Sequence, residues 1–302
     1  MSPEVLSWKN KGHYVSYGPL GHQVYTLDLG DSHASSDRTL LMLHGFPESS
    51  YSYHAVVDGL LSRFDRIVLL DMLGYGLSDK PIVGYTYSLF EQADVVLSVW
   101  QQCGIRGGHL LSHDMGDSVA TEIIARRENG LLPSTMPDGL MSVTFTNGSM
   151  VLSLAKLRIT QKMLLSRWGR HMQKLTSFKL FSQQVRSAHG NDNLTARDIQ
   201  LLWELNTLNQ GHHKTYLTIK YLNDRKRFET SRWLPALSST DLPIHICWGD
   251  EDAVARIEMA YYLKEHISPG ATFTKMSGLG HFCQLGSPAK WLEYVLAYYD
   301  PT

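Results

Sequence analysis

Residues 112–120 can be read in two frames that predict different chemistry. Gly116-Asp117-Ser118-Val119-Ala120 approximates the Gly-x-Ser-x-Gly elbow that presents a nucleophilic serine. Ser112-His113-Asp114-Met115-Gly116 instead sets an aspartate between two small residues, as a sharp strand-to-helix turn requires. Counted from the apolar run "GGHLLSH", the turn falls on Asp114, and Ser118 lies a full helical turn later. The aspartate frame is therefore preferred, and it implies a carboxylate that attacks carbon and forms an ester with the protein. Asp117 reads as an acid favoured in the first turn of a helix.

Such a nucleophile needs a base to activate water and an acid to orient that base, each after a later strand. "CWGDEDAV" offers Asp250, Glu251 and Asp252. Asp252 is the choice, because beyond the tight Gly249-Asp250 turn it can point back over the sheet. Asp250 closes the turn itself. His281 is selected from 14 histidines by its place in the glycine-rich loop "KMSGLGHFCQLGSP" after the last strand. Upstream, "LHGFPESSYSYH" predicts an oxyanion loop: His44-Gly45 turns the chain so that the Phe46 amide faces the elbow, with the Met115 amide as second donor. His44 reads as the support of that loop, and His113 as a packed residue beneath the elbow.

The elements that must position these groups alternate buried strand and helix, the pattern of a mostly parallel α/β sheet. The opening runs "HYVSYG" and "HQVYTLDLG" predict a hairpin. Helices are predicted at about 51–62, in "SLFEQADVVLSVWQQCG", after the elbow, at 255–266 and at 289–299. Only helical patterns occupy the stretch between the strands "LMSVTFTNG" and "PIHICWG". The expected organisation is a core of residues 1–148 and 238–302 interrupted by a helical cap at 149–237.

Composition limits the function classes. Hydrophobic residues make up 43% of the 302, enough for a packed core, and the net charge of −1 gives no bias towards nucleic acid. Three scattered cysteines provide neither a disulfide frame nor a zinc site, which fits a cytoplasmic protein. No signal or membrane segment is read at the N-terminus, no Gly-x-Gly-x-x-Gly occurs, and no metal-ligand spacing is visible. Neither cofactor nor metal is expected.

Taken with these residues, the whole sequence resembles the α/β-hydrolase superfamily. "HGFPESSYSY", "DMLGYGLSDKP" and "SHDMGD" are similar to signatures of the branch that joins epoxide hydrolases and haloalkane dehalogenases. "YSLFEQADVV", "LLSHDMGD", "YLNDRKRF" and "LPIHICWG" resemble, in order, segments of the mesoderm-specific transcript protein family. The resemblance implies an eight-stranded α/β-hydrolase fold, an aspartate nucleophile and a hydrolase of epoxide-hydrolase type. Dehalogenases cradle halide with a Trp after the nucleophile and an Asn after His-Gly; here Met115 and Phe46 stand there, which disfavours dehalogenation. Epoxide hydrolases activate oxygen with two cap tyrosines. Tyr221 matches one, and no tyrosine lies between Tyr87 and Tyr216 to supply the other.

The expected substrate is a small apolar or amphiphilic molecule bound between cap and core, with Tyr221, Trp168 and Trp203 as substrate-binding residues. Residues 151–235 hold 15 Lys/Arg against 5 Asp/Glu, so the cap is expected to be basic: either a solvated cationic face partly paired with the acidic core, or a peripheral contact for anionic lipid or an anionic amphiphile. Two rivals stand beside the aspartate hydrolase: a serine esterase or acyltransferase using Ser118, and a catalytically silent lipid-binding protein that kept the fold.

Overall fold

In the computed structural model, which describes residues 1–155 and 157–299, eight strands form one sheet. These are β1 (His13–Tyr17), β2 (His22–Gly30), β3 (Thr39–Leu43), β4 (Arg66–Leu70), β5 (Gly107–His113), β6 (Gly139–Thr146), β7 (Ile244–Gly249) and β8 (Thr272–Met276). Their order is β1-β2-β4-β3-β5-β6-β7-β8, and β2 alone runs against its neighbours. This is the mostly parallel sheet anticipated from the residues, and the α/β-hydrolase arrangement that the resemblance implied.

Strand periodicity builds two cores. Leu41, Leu43, Val68 and Leu70 face one side of the sheet, under the helices Leu89–Gln102 and Met115–Glu128. Their neighbours Leu40, Met42, Ile67 and Leu69 face the other, against Trp8 and the closing helix Pro288–Tyr299 with Trp291. Covered on both faces, β3, β4 and β7 are buried throughout, which is why they read as unbroken apolar runs. Each fully buried Leu, Ile or Val contributes roughly 1.5–3 kcal/mol.

Two expectations need correction. A helix at Pro3–Lys11 was not foreseen, although Ser2 and Pro3 are ordinary start signals. Val5 and Trp8 anchor it, with Trp8 Nε1 donating to Ser50 Oγ at 3.1 Å. Conversely, the helix expected at 51–62 is a 3-10 turn at Ser50–Tyr53 followed by one helical turn at Val57–Leu60. All four side chains of the 3-10 turn Ser50–Tyr53 are buried.

Between β6 and β7 the described residues form only helices and turns, the longest being Phe178–His189 and Ala196–Thr207. Ser177 caps the first, which Gly190 ends at φ 99°, and a Thr195–Asp198 capping box starts the second. Among the described residues no helix is long and apolar enough to cross a membrane.

Candidate active site

β5 ends at His113 and the next helix starts at Met115, so Asp114 alone makes the turn. Its φ of 48° and ψ of −108° lie outside the ordinary wells, a strain of about 1–3 kcal/mol that surrounding structure must impose. Two glycines allow it. A Cβ on Gly116 would sit 2.7 Å from the His44 carbonyl oxygen, and one on Gly45 would sit 2.7 Å from Asp114 Cβ. Elbow and oxyanion loop pass each other only because both lack side chains there.

The loop reaches its target. The Phe46 N–H donates to Asp114 Oδ2 at 2.9 Å. His44 supports the turn as expected: it accepts from the Met72 N–H at 3.0 Å, while its Nδ1 lies 2.8 Å from the Gly45 oxygen. Met115 opens the helix, so its amide lacks an intrahelical partner, but no hydrogen bond joins that amide to the Asp114 carboxylate. The Met115 side chain is buried and takes the Tyr75 hydroxyl on its sulfur at 3.2 Å.

His281 Nδ1 lies 2.7 Å from Asp252 Oδ2. Asp252 is itself held by Asn147 Nδ2 at 2.7 Å and by the Val254 and Ala255 amides at 2.6 and 2.8 Å. Burial alone would lower the His281 pKa, but the charge and hydrogen bond of Asp252, with the charge of Asp114, hold it above the ordinary value. The arrangement favours proton uptake by His281. Asp250, expected to close its own turn, instead accepts from the Gly278 amide at 2.7 Å and so ties that turn to the loop after β8.

A cavity of about 100 Å³ opens beside Asp114 and His281, several times the roughly 10–15 Å³ a single water needs on the same measure. Phe46, Leu152, Leu157, Val185, Leu222 and Phe282 make its walls largely apolar. Tyr221 lines it, beside Phe46 at 5.8 Å between ring centroids. Burial first, then the charge of Asp114, raise the Tyr221 pKa, so its hydroxyl stays protonated.

Neither Trp168 nor Trp203 lines the cavity, which corrects both as substrate-binding residues. Trp168 is 58% exposed on the outside of the helical insertion. Trp203 packs against Phe178, Phe181 and His212 within that insertion. A tryptophan on an amphipathic helix satisfies its apolar face against a neighbouring helix as readily as against a ligand.

Arg225, passed over in the sequence, lies one helical turn after Tyr221, at the cavity. Its guanidinium stacks 4.8 Å from the Tyr221 ring centroid; Nε donates to Ser118 Oγ at 2.8 Å and Nη2 to the Asp114 carbonyl at 3.3 Å. It is 2% exposed, and among the described residues no carboxylate accepts a hydrogen bond from it. Ser118 is thus a buried helical residue tied to Arg225, with no hydrogen bond to His281.

Beneath the elbow lies a pair the sequence did not reveal. His113 Nδ1 is 2.6 Å from Glu48 Oε2, and His113 Nε2 is 2.8 Å from the His281 carbonyl oxygen. Gln284 Nε2 donates to Glu48 Oε1 at 3.0 Å. Burial opposes both charges, yet each partner holds the other ionised, raising His113 and lowering Glu48. His113, read as a packed residue, thus also props the catalytic-loop backbone. His189 supports that loop from the helical insertion: its carbonyl accepts from the His281 amide at 2.8 Å and its Nδ1 from the Phe282 amide at 3.1 Å.

Asp117 corrects another reading. It stands in the first turn of its helix, but its carboxylate is buried, accepting from Ser112 Oγ at 2.6 Å, and its Oδ2 has no hydrogen-bond partner. Burial raises its pKa from 3.8 to about 8, chiefly against the bonds from Ser112 and Thr146. A folded-state pKa above the unfolded value means the native state binds more protons, so this group costs stability increasingly as pH rises from 3.8 towards about 8. Asp117→Asn is expected to flatten that decline and to be relatively more stable at pH 8 than at pH 5. Urea unfolding at several pH values checks it; parallel wild-type and variant profiles would refute it.

Among the described residues no group of three or more His, Cys, Asp or Glu side chains is placed to hold a metal ion. The sequence signature of the alpha/beta hydrolase fold matches residues 38–288. LipZ of Mycobacterium tuberculosis, a protein named as a hydrolase, is 35% identical over 300 residues, covering 98% of each chain. The mesoderm-specific transcript protein of Mus musculus is 30% identical over 307 residues, 99% of this chain and 88% of that one. Among solved structures, the epoxide hydrolase CorEH superposes with a TM-score of 0.73 at 16% identity, over 96% of this chain and 98% of that one, which speaks to fold alone.

Proposed function

Since this chain belongs to the alpha/beta hydrolase fold family and is a hydrolase, we propose that Asp114 is its nucleophile, acting through a covalent enzyme ester in the manner of an epoxide hydrolase. The observation that carries this reading is the elbow. Asp114 occupies the strained turn with its carboxylate bonded to the Phe46 amide, whereas Ser118 lies buried a helical turn away under Arg225.

Asp114 Oδ1 attacks an electrophilic carbon of a small apolar or amphiphilic substrate, and the carbon–oxygen bond of the ring breaks with its electron pair moving to oxygen. Tyr221 hydrogen-bonds that oxygen and passes it its proton, leaving a phenolate beside the Arg225 guanidinium. Arg225 takes the place of the absent second tyrosine; a guanidinium does not give up its proton at neutral pH, so it acts by charge. Oδ2 becomes the ester carbonyl oxygen and stays at the Phe46 amide. His281, held by Asp252, then takes a proton from water, and the hydroxide adds to the ester carbonyl carbon. Negative charge collects on Oδ2 at the Phe46 donor, with the Met115 amide as the second. Collapse breaks the bond between Oδ1 and the carboxyl carbon; the departing oxygen takes the proton from His281, the proton left on the new carboxyl returns to Tyr221, and Asp114 keeps one oxygen from water. Residues 149–237 serve as the cap that closes the cavity. The three free cysteines, two of them buried, fit a reducing cytoplasm.

Single turnover in heavy-oxygen water, using a panel of small aryl epoxides and aryl esters, tests the nucleophile. Label is expected in the peptide carrying Asp114 and not in the first-turnover product, and Ser118→Ala is expected to preserve this pattern. An unlabelled Asp114, or an adduct on Ser118, refutes the proposal.

A further inference from the structure

Residues 159–180 of the insertion carry five cations and no acid: Lys162, Arg167, Arg170, Lys174 and Lys179. All five are exposed, and no ion pair engages any of them among the described residues. The same segment exposes Ile159, Trp168, Leu175 and Phe178, at 77%, 58%, 68% and 40%. Arg167 lies over the Trp168 ring at 5.2 Å. Large apolar side chains left in water among unpaired cations need an occupant that offers both hydrocarbon and negative charge.

We propose that this face of the cap docks on an anionic lipid surface, the cations meeting headgroups while Ile159, Trp168 and Leu175 enter the interface. Charge selects among occupants. A second copy of the chain would set five cations against five cations. A nucleic acid would match the charge but leave the apolar side chains in water. The helix Ile159–Leu165 also connects the patch to the site, because Leu157, Arg158, Thr160 and Gln161 line the cavity on its inner side. An amphiphile leaving the bilayer would therefore meet the cavity across a single helix. The docking surface does not depend on which residue is the nucleophile.

The test uses the full chain and sucrose-loaded vesicles of phosphatidylcholine, with or without phosphatidylserine, in a sedimentation assay. Binding is expected to the mixed vesicles and to weaken steeply with salt, since screening shortens to about 10 Å at 0.1 M. Each cation near such a surface is worth roughly fivefold in partitioning, so Arg167→Ala, Arg170→Ala and Lys174→Ala together should lower it by about 100-fold. Leu175→Ser should weaken binding further. Both variants should keep wild-type melting behaviour and turnover of a water-soluble substrate. Equal partitioning to both vesicle types, no binding to either, or undiminished binding by the triple variant would overturn the proposal. So would preferential binding of single-stranded RNA in competition with the mixed vesicles. Loss of activity in Asp114→Asn with vesicle binding intact would separate this surface from the catalytic reading.

Discussion

His281→Gln is expected to lower steady-state turnover by roughly 10²–10⁴-fold while the protein accumulates an ester on Asp114. The reason is the division of labour in the site. In the proposed scheme, attack on the substrate uses the Asp114 carboxylate, which the Phe46 amide already aligns, with Tyr221 and Arg225 at the cavity wall. Only the proposed hydrolysis step needs a base, and His281 is the histidine bonded to Asp252 at the cavity. Intact-mass analysis after substrate addition should show the mass of one substrate added, mapped by digestion to the peptide carrying Asp114. The wild type should show no lasting adduct. An inactive variant without adduct, given a substrate that wild type turns over, would mean that the base acts before or during attack. Asp252→Asn should give the same result, because an amide whose oxygen stays on the Val254 and Ala255 amides turns a donor towards both Asn147 Nδ2 and His281 Nδ1, and the base loses its orienting acceptor.

The second large effect is on stability. Glu48→Ala is expected to destabilise the protein by about 3–5 kcal/mol, since removing one partner strands the other charge in a fully buried site. His113 would lose its carboxylate and Gln284 Nε2 its acceptor. The loss should depend on pH. The raised His113 pKa contributes stability that is fully present below its ordinary 6.5 and fades as pH climbs through the raised value. The lowered Glu48 pKa contributes above its ordinary 4.5 and is lost as pH falls through the lowered value. The gap between wild type and variant should therefore be widest between 4.5 and 6.5 and narrow in alkali. Urea unfolding across that range measures it. A pH-independent gap would show that the pair is not ionised in the folded state.

The unevenness of what could be read beforehand has a physical origin. Asp114, Asp252, His281 and Phe46 were legible because each follows a strand in the parallel part of the sheet. Strand ends converge on one edge whatever the details of packing, so chain order alone brings such residues together. Of the neighbouring acids, Asp252 meets His281 while Asp250 is spent on the Gly278 amide, a long-range tie that no local turn pattern records. Nothing comparable guides a helical insertion. Arg225 stands in "YLNDRKRF" among other charges, and only the docking of its helix on the elbow buries it. Trp168 and Trp203 carry the same amphipathic signal, yet one faces water and the other its neighbouring helices.

What the sequence determined by itself was therefore the alternation of strand and helix, the turn at Asp114 and the order of its partners, all consequences of periodicity and of backbone sterics at neighbouring residues. Tertiary structure alone decided the rest: that Glu48 finds His113, 65 positions away, that Asp117 loses its solvent, and that Arg225 reaches Asp114, 111 positions upstream. A side chain's charge state depends on the dielectric and on the partners around it. Those are set by segments distant in sequence, which no local pattern records.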